Sequence, residues 1–246
     1  PNNPAELQVL DGRAKSLFRT KTGHLGRIVG LAISPDGKYV ASTGVTRLVS
    51  VRSTRTGKVI GKRQFADHGL GAVTFSPDSK GLYVATDNQV VQQWDMKLRK
   101  MRAQFVHAAG TESVVVTEDG YYLGTRGALD KLALRRENHA YPFELFDLAL
   151  NQPHRVLAAL GKSSKPRIAS VRRAYERRLA KFGLKRAPKL DLRSLPTATL
   201  ASQPPLSTDV KGLSFELQAK AQSGTLTRYQ VTVNGVPLYG AGGRPL

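Results

Sequence analysis

The strongest constraint on this chain is a short sentence that it writes three times. "SPDGKYVAS" runs from Ser34 to Ser42, "SPDSKGLYVAT" from Ser76 to Thr86, and a looser "TEDGYYLGT" from Thr117 to Thr125. Asp36 and Asp78 stand 42 positions apart, and Asp78 and Asp119 stand 41 apart. Each copy has the same grammar. An apolar run (Val29, Leu31, Ile33; Ala72 to Phe75; Val114 to Val116) is followed by a turn and a second apolar run (Tyr39 to Ala41; Leu82 to Ala85; Tyr121 to Leu123). Two apolar runs around a turn read as a β-hairpin. Pro35 and Pro77 carry the fixed φ that suits the second turn position, and the Asp and Gly that follow supply a side-chain cap and a permissive backbone. Asp36, Asp78 and Asp119 are therefore expected as turn formers rather than catalytic acids, because the same chemistry recurs in every copy.

A spacing of this size falls in the range of about 40 to 45 residues for a propeller blade. Gly23-His24 precedes the first hairpin and Trp94-Asp95 closes the second unit. With those dipeptides in place the chain resembles a WD-repeat β-propeller. Arg52-Ser53 occupies the first unit's Trp-Asp position, and Asp67-His68 stands in for the second unit's Gly-His, two residues closer to its hairpin. The resemblance implies a buried network of His, Ser/Thr and Asp in a well-kept blade, and it makes Gly23, His24, Asp36, Asp78, Trp94 and Asp95 structural positions of the propeller. If "AKSLFRTKT" (Ala14 to Thr22) is the end of an earlier blade, the chain holds about three blade equivalents. Propellers close with roughly four to eight. The chain is therefore expected to need the rest of a parent protein, or another chain, to complete the ring. Its first residue, Pro1, reads the same way, as part of a longer parent.

After Thr125 the period breaks. "YPFELFDLALNQPHRVLAALG" (Tyr141 to Gly161) predicts two short helices, with Pro142 near the start of the first, Pro153 opening the second and Gly161 stopping it. "KPRIASVRRAYERRLAKFG" (Lys165 to Gly183) predicts an amphipathic helix whose apolar stripe is Ile168, Val171, Tyr175, Leu179 and Phe182. Arg173, Arg177 and Lys181 point away from that stripe, flanked by Arg172 and Arg178. The net charge of +20 is concentrated here: Gly161 to Arg193 holds twelve Lys or Arg against Glu176 and Asp191. Such a face is a solvated surface, or a docking face for an acidic protein, nucleic acid or anionic lipid. Base-stacking binders interleave aromatics with their cations, whereas Tyr175 and Phe182 lie on the apolar stripe.

"LDLRSLPTATLASQPP" (Leu190 to Pro205) is linker-like. Alternation then returns, with Leu213, Phe215, Leu217 and Ala219 on one strand face, Tyr229, Val231 and Val233 on another, and a turn at Asn234-Gly235. This reads as the opening of an immunoglobulin-like sandwich. The expected architecture is mainly β: propeller blades over 1–135, a helical connector with the basic helix and linker over 136–204, and the start of a β-sandwich from 205 to 246. The segments "YPFELFDLALNQPHRVLAALG", "RRAYERRLAKFG" and "LTRYQVTVNGVPLYGAGG" together resemble the region of bacterial caspase-like (metacaspase-related) peptidases that joins the last WD blades to a small β-sandwich near the peptidase domain. That resemblance implies a regulatory and interaction region of a larger cysteine peptidase.

The chain itself has no cysteine, so thiolate nucleophiles, thiolate metal sites and disulfides are excluded. Its five histidines are scattered, the closest pair fifteen positions apart, and no Gly-x-Ser-x-Gly elbow occurs. No catalytic residue, metal ligand or cofactor is assigned, and "GAGGR" (Gly240 to Arg244) is expected as a loop because no Lys-Ser/Thr follows it. The expected function is a non-catalytic scaffold and interaction region. The alternative is a basic module that binds nucleic acid or anionic surfaces.

Overall fold

The computed structural model describes residues 4–136, 139–190, 195–201, 214–222, 224–233, 236–240 and 243–246. They form two compact units, 1–175 and 176–246.

In the first unit, β1 (Pro4–Leu10) and β2 (Ser16–Leu25) pair as an antiparallel hairpin. Asp11 makes its turn, accepting the N–H groups of Arg13 and Lys15 on Oδ1. The first repeat then builds a four-stranded meander from β3 (Ile28–Ile33), β4 (Tyr39–Gly44), β5 (Leu48–Ser53) and β6 (Val59–Gln64). The second repeat does the same with β7 (Leu70–Phe75), β8 (Gly81–Thr86), β9 (Val90–Asp95) and β10 (Met101–Ala109). The fold is mainly β, a partial β-propeller.

The two meanders stack face to face. Ala41, Val49 and Val51 from the first meet Val73, Phe75, Leu82, Val84 and Trp94 from the second in one buried cluster. Burial of this kind, at about 25 cal/mol per Å² of apolar surface, is the main source of stability. Polar contacts fix the stacking. Thr43 Oγ1 donates to the Gly71 carbonyl at 2.7 Å, and the Asp36 N–H donates to Ser79 Oγ at 3.2 Å. On the other face of the first meander, Leu7, Val9 and Phe18 of the β1–β2 hairpin cover Val40.

The third repeat hairpin forms as β11 (Glu112–Thr117) and β12 (Tyr122–Gly124), but it does not open a separate blade. It extends the second meander into a six-stranded sheet ordered β12-β11-β10-β9-β8-β7. The reason is local. Only Gly110 and Thr111 separate β10 from β11, so the chain reverses into the adjacent ladder position instead of stepping to a new layer.

A helical segment follows: α1 (Arg126–Lys131), a hairpin of β13 (Ala133–Arg136) and β14 (His139–Pro142), a 3-10 turn at Phe143–Phe146, α2 (Asp147–Leu150), α3 (Pro153–Leu160) and α4 (Lys165–Lys181). Pro153 opens α3, and Gly161 closes it in the left-handed conformation at φ 69°. Buried Tyr122 anchors the segment to the sheet. Its hydroxyl donates to the Phe143 carbonyl at 2.9 Å, and the two rings meet edge to face. Arg155 stacks its guanidinium over Tyr121, and Lys162 pairs with Asp78 at 2.5 Å. The helices thus stand on the second sheet where a following blade would stack.

In the second unit, three two-stranded ladders are described: β15 (Thr197–Leu200) with β16 (Leu217–Lys220), β17 (Arg228–Tyr229) with β20 (Arg244–Pro245), and β18 (Thr232–Val233) with β19 (Val236–Pro237). Leu217 and Ala219 lie in β16 and Tyr229 in β17, while Val231 falls between β17 and β18. Leu213 and the Asn234-Gly235 turn lie outside the described residues, as do parts of the linker and of "GAGGR".

Candidate functional site

The repeats place their turn residues alike. Ser34 Oγ donates to Asp36 Oδ1 at 2.7 Å and Ser76 Oγ donates to Asp78 Oδ1 at 2.6 Å, while each carboxylate also accepts the N–H two residues on. Gly37, Ser79 and Gly120 occupy the same turn position at positive φ, and Ser79 is the one whose hydroxyl reaches back to the first repeat. These bonds hold both carboxyls below the usual range; for Asp36 the leading cause is Ser34, and for Asp78 it is Lys162, then Ser76. Anions held this way contribute stability above the ordinary carboxylate pKa and lose it as the pH falls below it.

Gly23, at φ 80°, turns the chain so that His24 enters the interior. His24 is fully buried, and a 2.8 Å hydrogen bond links its Nε2 to Ser42 Oγ on β4. Its ring lies against Gly44, where a Cβ would stand 2.5 Å from Nδ1, so that position admits only glycine. Arg52, in the place of the repeat's Trp, donates to the carbonyls of Lys21 at 3.2 Å, Thr22 at 3.0 Å and Gly57 at 2.9 Å. It ties β2 to β5. Burial, then Arg52 and Lys62, push the His24 pKa below its ordinary value, so the ring is neutral in the fold. The stability this gives is complete above the ordinary His pKa of 6.5 and declines as the pH drops below it, since the unfolded chain takes up the proton first. His24→Ala strands Ser42 and should cost about 1–3 kcal/mol by urea denaturation at pH 7. The same variant should flatten the fall in stability as the pH drops below 6.5.

The second repeat is wired differently. His68 is half-buried, with Nδ1 3.9 Å from Asp87. Val84 stands where the first repeat has Ser42, so the buried Trp94 indole N–H donates to Gln92 Oε1 at 3.0 Å. Arg63 covers the Trp94 ring at 4.3 Å, and Phe65 meets it edge on. Asp95 Oδ1 accepts the N–H groups of Arg99 and Lys100 and so forms the turn into β10, as Ser53 does for the first repeat with Arg55 and Thr56.

Two exposed surfaces are distinctive. On the first meander, Leu31 and Ile33 are 55% and 62% exposed, and a groove of about 310 Å³ runs between them and Leu7 and Leu10 of β1. The second surface is α4. Arg173, Arg177 and Lys181 are exposed at intervals of four residues, Arg172 is exposed beside them and Arg178 is half-buried. Tyr175 and Leu179 are buried and Ile168 and Val171 half-buried, but Phe182 is 44% exposed because the helix ends at Lys181. Tyr175 also donates its hydroxyl to the Leu148 carbonyl at 2.8 Å. Among the described residues no cluster of metal-ligating side chains occurs, and no helix is long and apolar enough to cross a membrane.

The chain carries a WD repeat: residues 15–51 match the family model described as "WD domain, G-beta repeat". This stretch includes β2, β3, β4 and most of β5. The chain is 29% identical over 93 residues to the U3 small nucleolar RNA-associated protein 18 homolog of Mus musculus, covering 37% of this chain and 17% of that protein. It is 26% identical over 102 residues to Actin-interacting protein 1 of Drosophila melanogaster, covering 41% of this chain and 17% of that one. It thus spans about a sixth of the curated relatives it matches. Among solved structures, the RRP9 WD40 repeats align at 14% identity and a TM-score of 0.39, over 49% of this chain and 44% of that one.

Proposed function

We propose that this chain is the non-catalytic interaction scaffold of a larger protein, and that the parent is a caspase-like cysteine peptidase whose activity or placement the scaffold governs. The observation that carries the scaffold reading is the uncovered apolar face of the first meander. β1 and β2 supply two strands of a layer, and Leu31 and Ile33 wait beyond the free edge of β1. Apolar patches left open in this way mark contact sites. Further blades, from the parent or another chain, cover them. The peptidase parent rests on the order of segments around "RRAYERRLAKFG" and "LTRYQVTVNGVPLYGAGG". A His and Cys peptidase domain in the same open reading frame supports it, and a reading frame without one overturns it.

The basic face of α4 favours a second reading, a module that binds nucleic acid or an anionic surface, in keeping with a relative whose name describes it as RNA-associated. The two readings separate in one double variant. Leu31→Ser with Ile33→Ser should abolish association of the chain with its completing blades in sedimentation, while leaving polyanion binding intact. If the double variant sediments like the parent chain, the scaffold reading fails.

A further inference from the structure

Two polar side-chain groups that no described residue pairs, the Gln93 amide oxygen and the Arg102 guanidinium, line one cavity between the second sheet and α3. The cavity, about 170 Å³, is walled by Ser76 and Asp78 of the β7–β8 turn, Gln93 of β9, Arg102 of β10 and Lys162 beyond α3. One water needs only about 10–15 Å³. Gln93 is 2% exposed, and its Oε1 receives no hydrogen bond from any described residue. Arg102 is half-buried against Gly161, where a Cβ would stand 3.0 Å from Nη1. Its guanidinium makes no hydrogen bond or ion pair with a described residue. The one carboxylate in the lining, Asp78, is already engaged by Ser76, the Lys80 N–H and Lys162.

A half-buried guanidinium requires acceptors, and a buried amide oxygen requires a donor. We propose that this cavity binds a carboxylate with an N–H beside it, the pattern shared by a peptide C-terminus and a free N-acyl amino acid. The carboxylate takes the parallel N–H pair of Arg102, which matches its planar geometry, and the neighbouring N–H donates to Gln93 Oε1. Lys162, with exposed Lys80 at the rim, adds attraction for the anion. A phosphomonoester dianion offers acceptors only and leaves Gln93 unanswered, and inorganic hydrogen phosphate, with a single O–H, lacks the planar carboxylate that matches the Arg102 fork.

Calorimetric titration of the 246-residue chain with N-acetylglycine, its amide, acetate, phosphate, and a tetrapeptide with a free or amidated C-terminus tests this. N-acetylglycine and the free-ended peptide should compete for one site and bind at least about tenfold tighter than their amides. A tighter peptide identifies a protein C-terminus as the ligand; equal affinity identifies the small acid. Arg102→Gln should weaken binding about tenfold with an unchanged melt. Gln93→Leu should erase the preference for N-acetylglycine over acetate. If Arg102→Gln does not melt cooperatively, Arg102→Lys, which keeps the charge and loses the fork, takes its place. No saturable heat with any carboxylate, binding untouched by the Arg102 change, or phosphate binding as tightly through the same residues overturns the proposal.

Discussion

Leu82→Ala should lower the unfolding free energy by about 2–5 kcal/mol, the range for a buried leucine whose cavity cannot collapse. Leu82 is fully buried in the cluster between the two meanders, beside Val84 and Trp94 on one side and Ala41 and Val51 on the other. Strands on both sides are pinned by their ladders and by the Thr43 bond to Gly71, so neither meander can move in to fill the space. Leu82→Met, which keeps the volume, should cost less than about 1.5 kcal/mol. Urea denaturation followed by circular dichroism measures both. A loss below 1 kcal/mol for the alanine variant would mean that the meanders are not packed on one another in solution.

Changing Arg173, Arg177 and Lys181 together to Gln should remove most binding to a polyanion column while leaving the melting temperature nearly unchanged. Gln keeps the helix propensity and deletes three charges. All three are exposed, so little packing is lost. The attraction they provide is screened over about 8 Å at physiological ionic strength, so binding by the unaltered chain should fall steeply with added salt. Retention of the triple variant at moderate salt would make the face a solvated one. A collapsed melt would make these side chains structural.

The hairpins were legible because a turn leaves local marks: proline, aspartate and glycine at fixed offsets between apolar runs. The ends of α3 were legible for the same reason, through Pro153 and Gly161. What a hairpin attaches to is not local. The third repeat has the same grammar as the others, but the two-residue link at Gly110 and Thr111 sends it into the second sheet, and repeat spacing alone does not carry that information. β1 does leave a local mark, the Asp11-Gly12 turn between two alternating runs. α1 is six residues long, too short for a helical period to show. The His24 and Ser42 pair spans eighteen positions, and Arg52 serves in the tryptophan position only because β2 brings its carbonyls within reach, which depends on how β2 lies against β5. The cavity at Arg102 is invisible in the sequence, since Gln93, Arg102 and Lys162 meet only when α3 lies on the sheet.

That helical covering also gives the molecule a polarity. Within residues 4–175 the layers run from the β1–β2 hairpin through two sheets to the helices, so one end is open and the other finished. A unit whose sheet layers are open at one end cannot propagate head to tail by blade stacking, because such a filament needs two unlike layer faces on every copy. It can pair once about a twofold axis, open end against open end, or accept a layer from elsewhere, and in either case growth stops. Within residues 4–175 the repeat grammar that makes a blade stackable is thus kept from adding blade upon blade at the helical end.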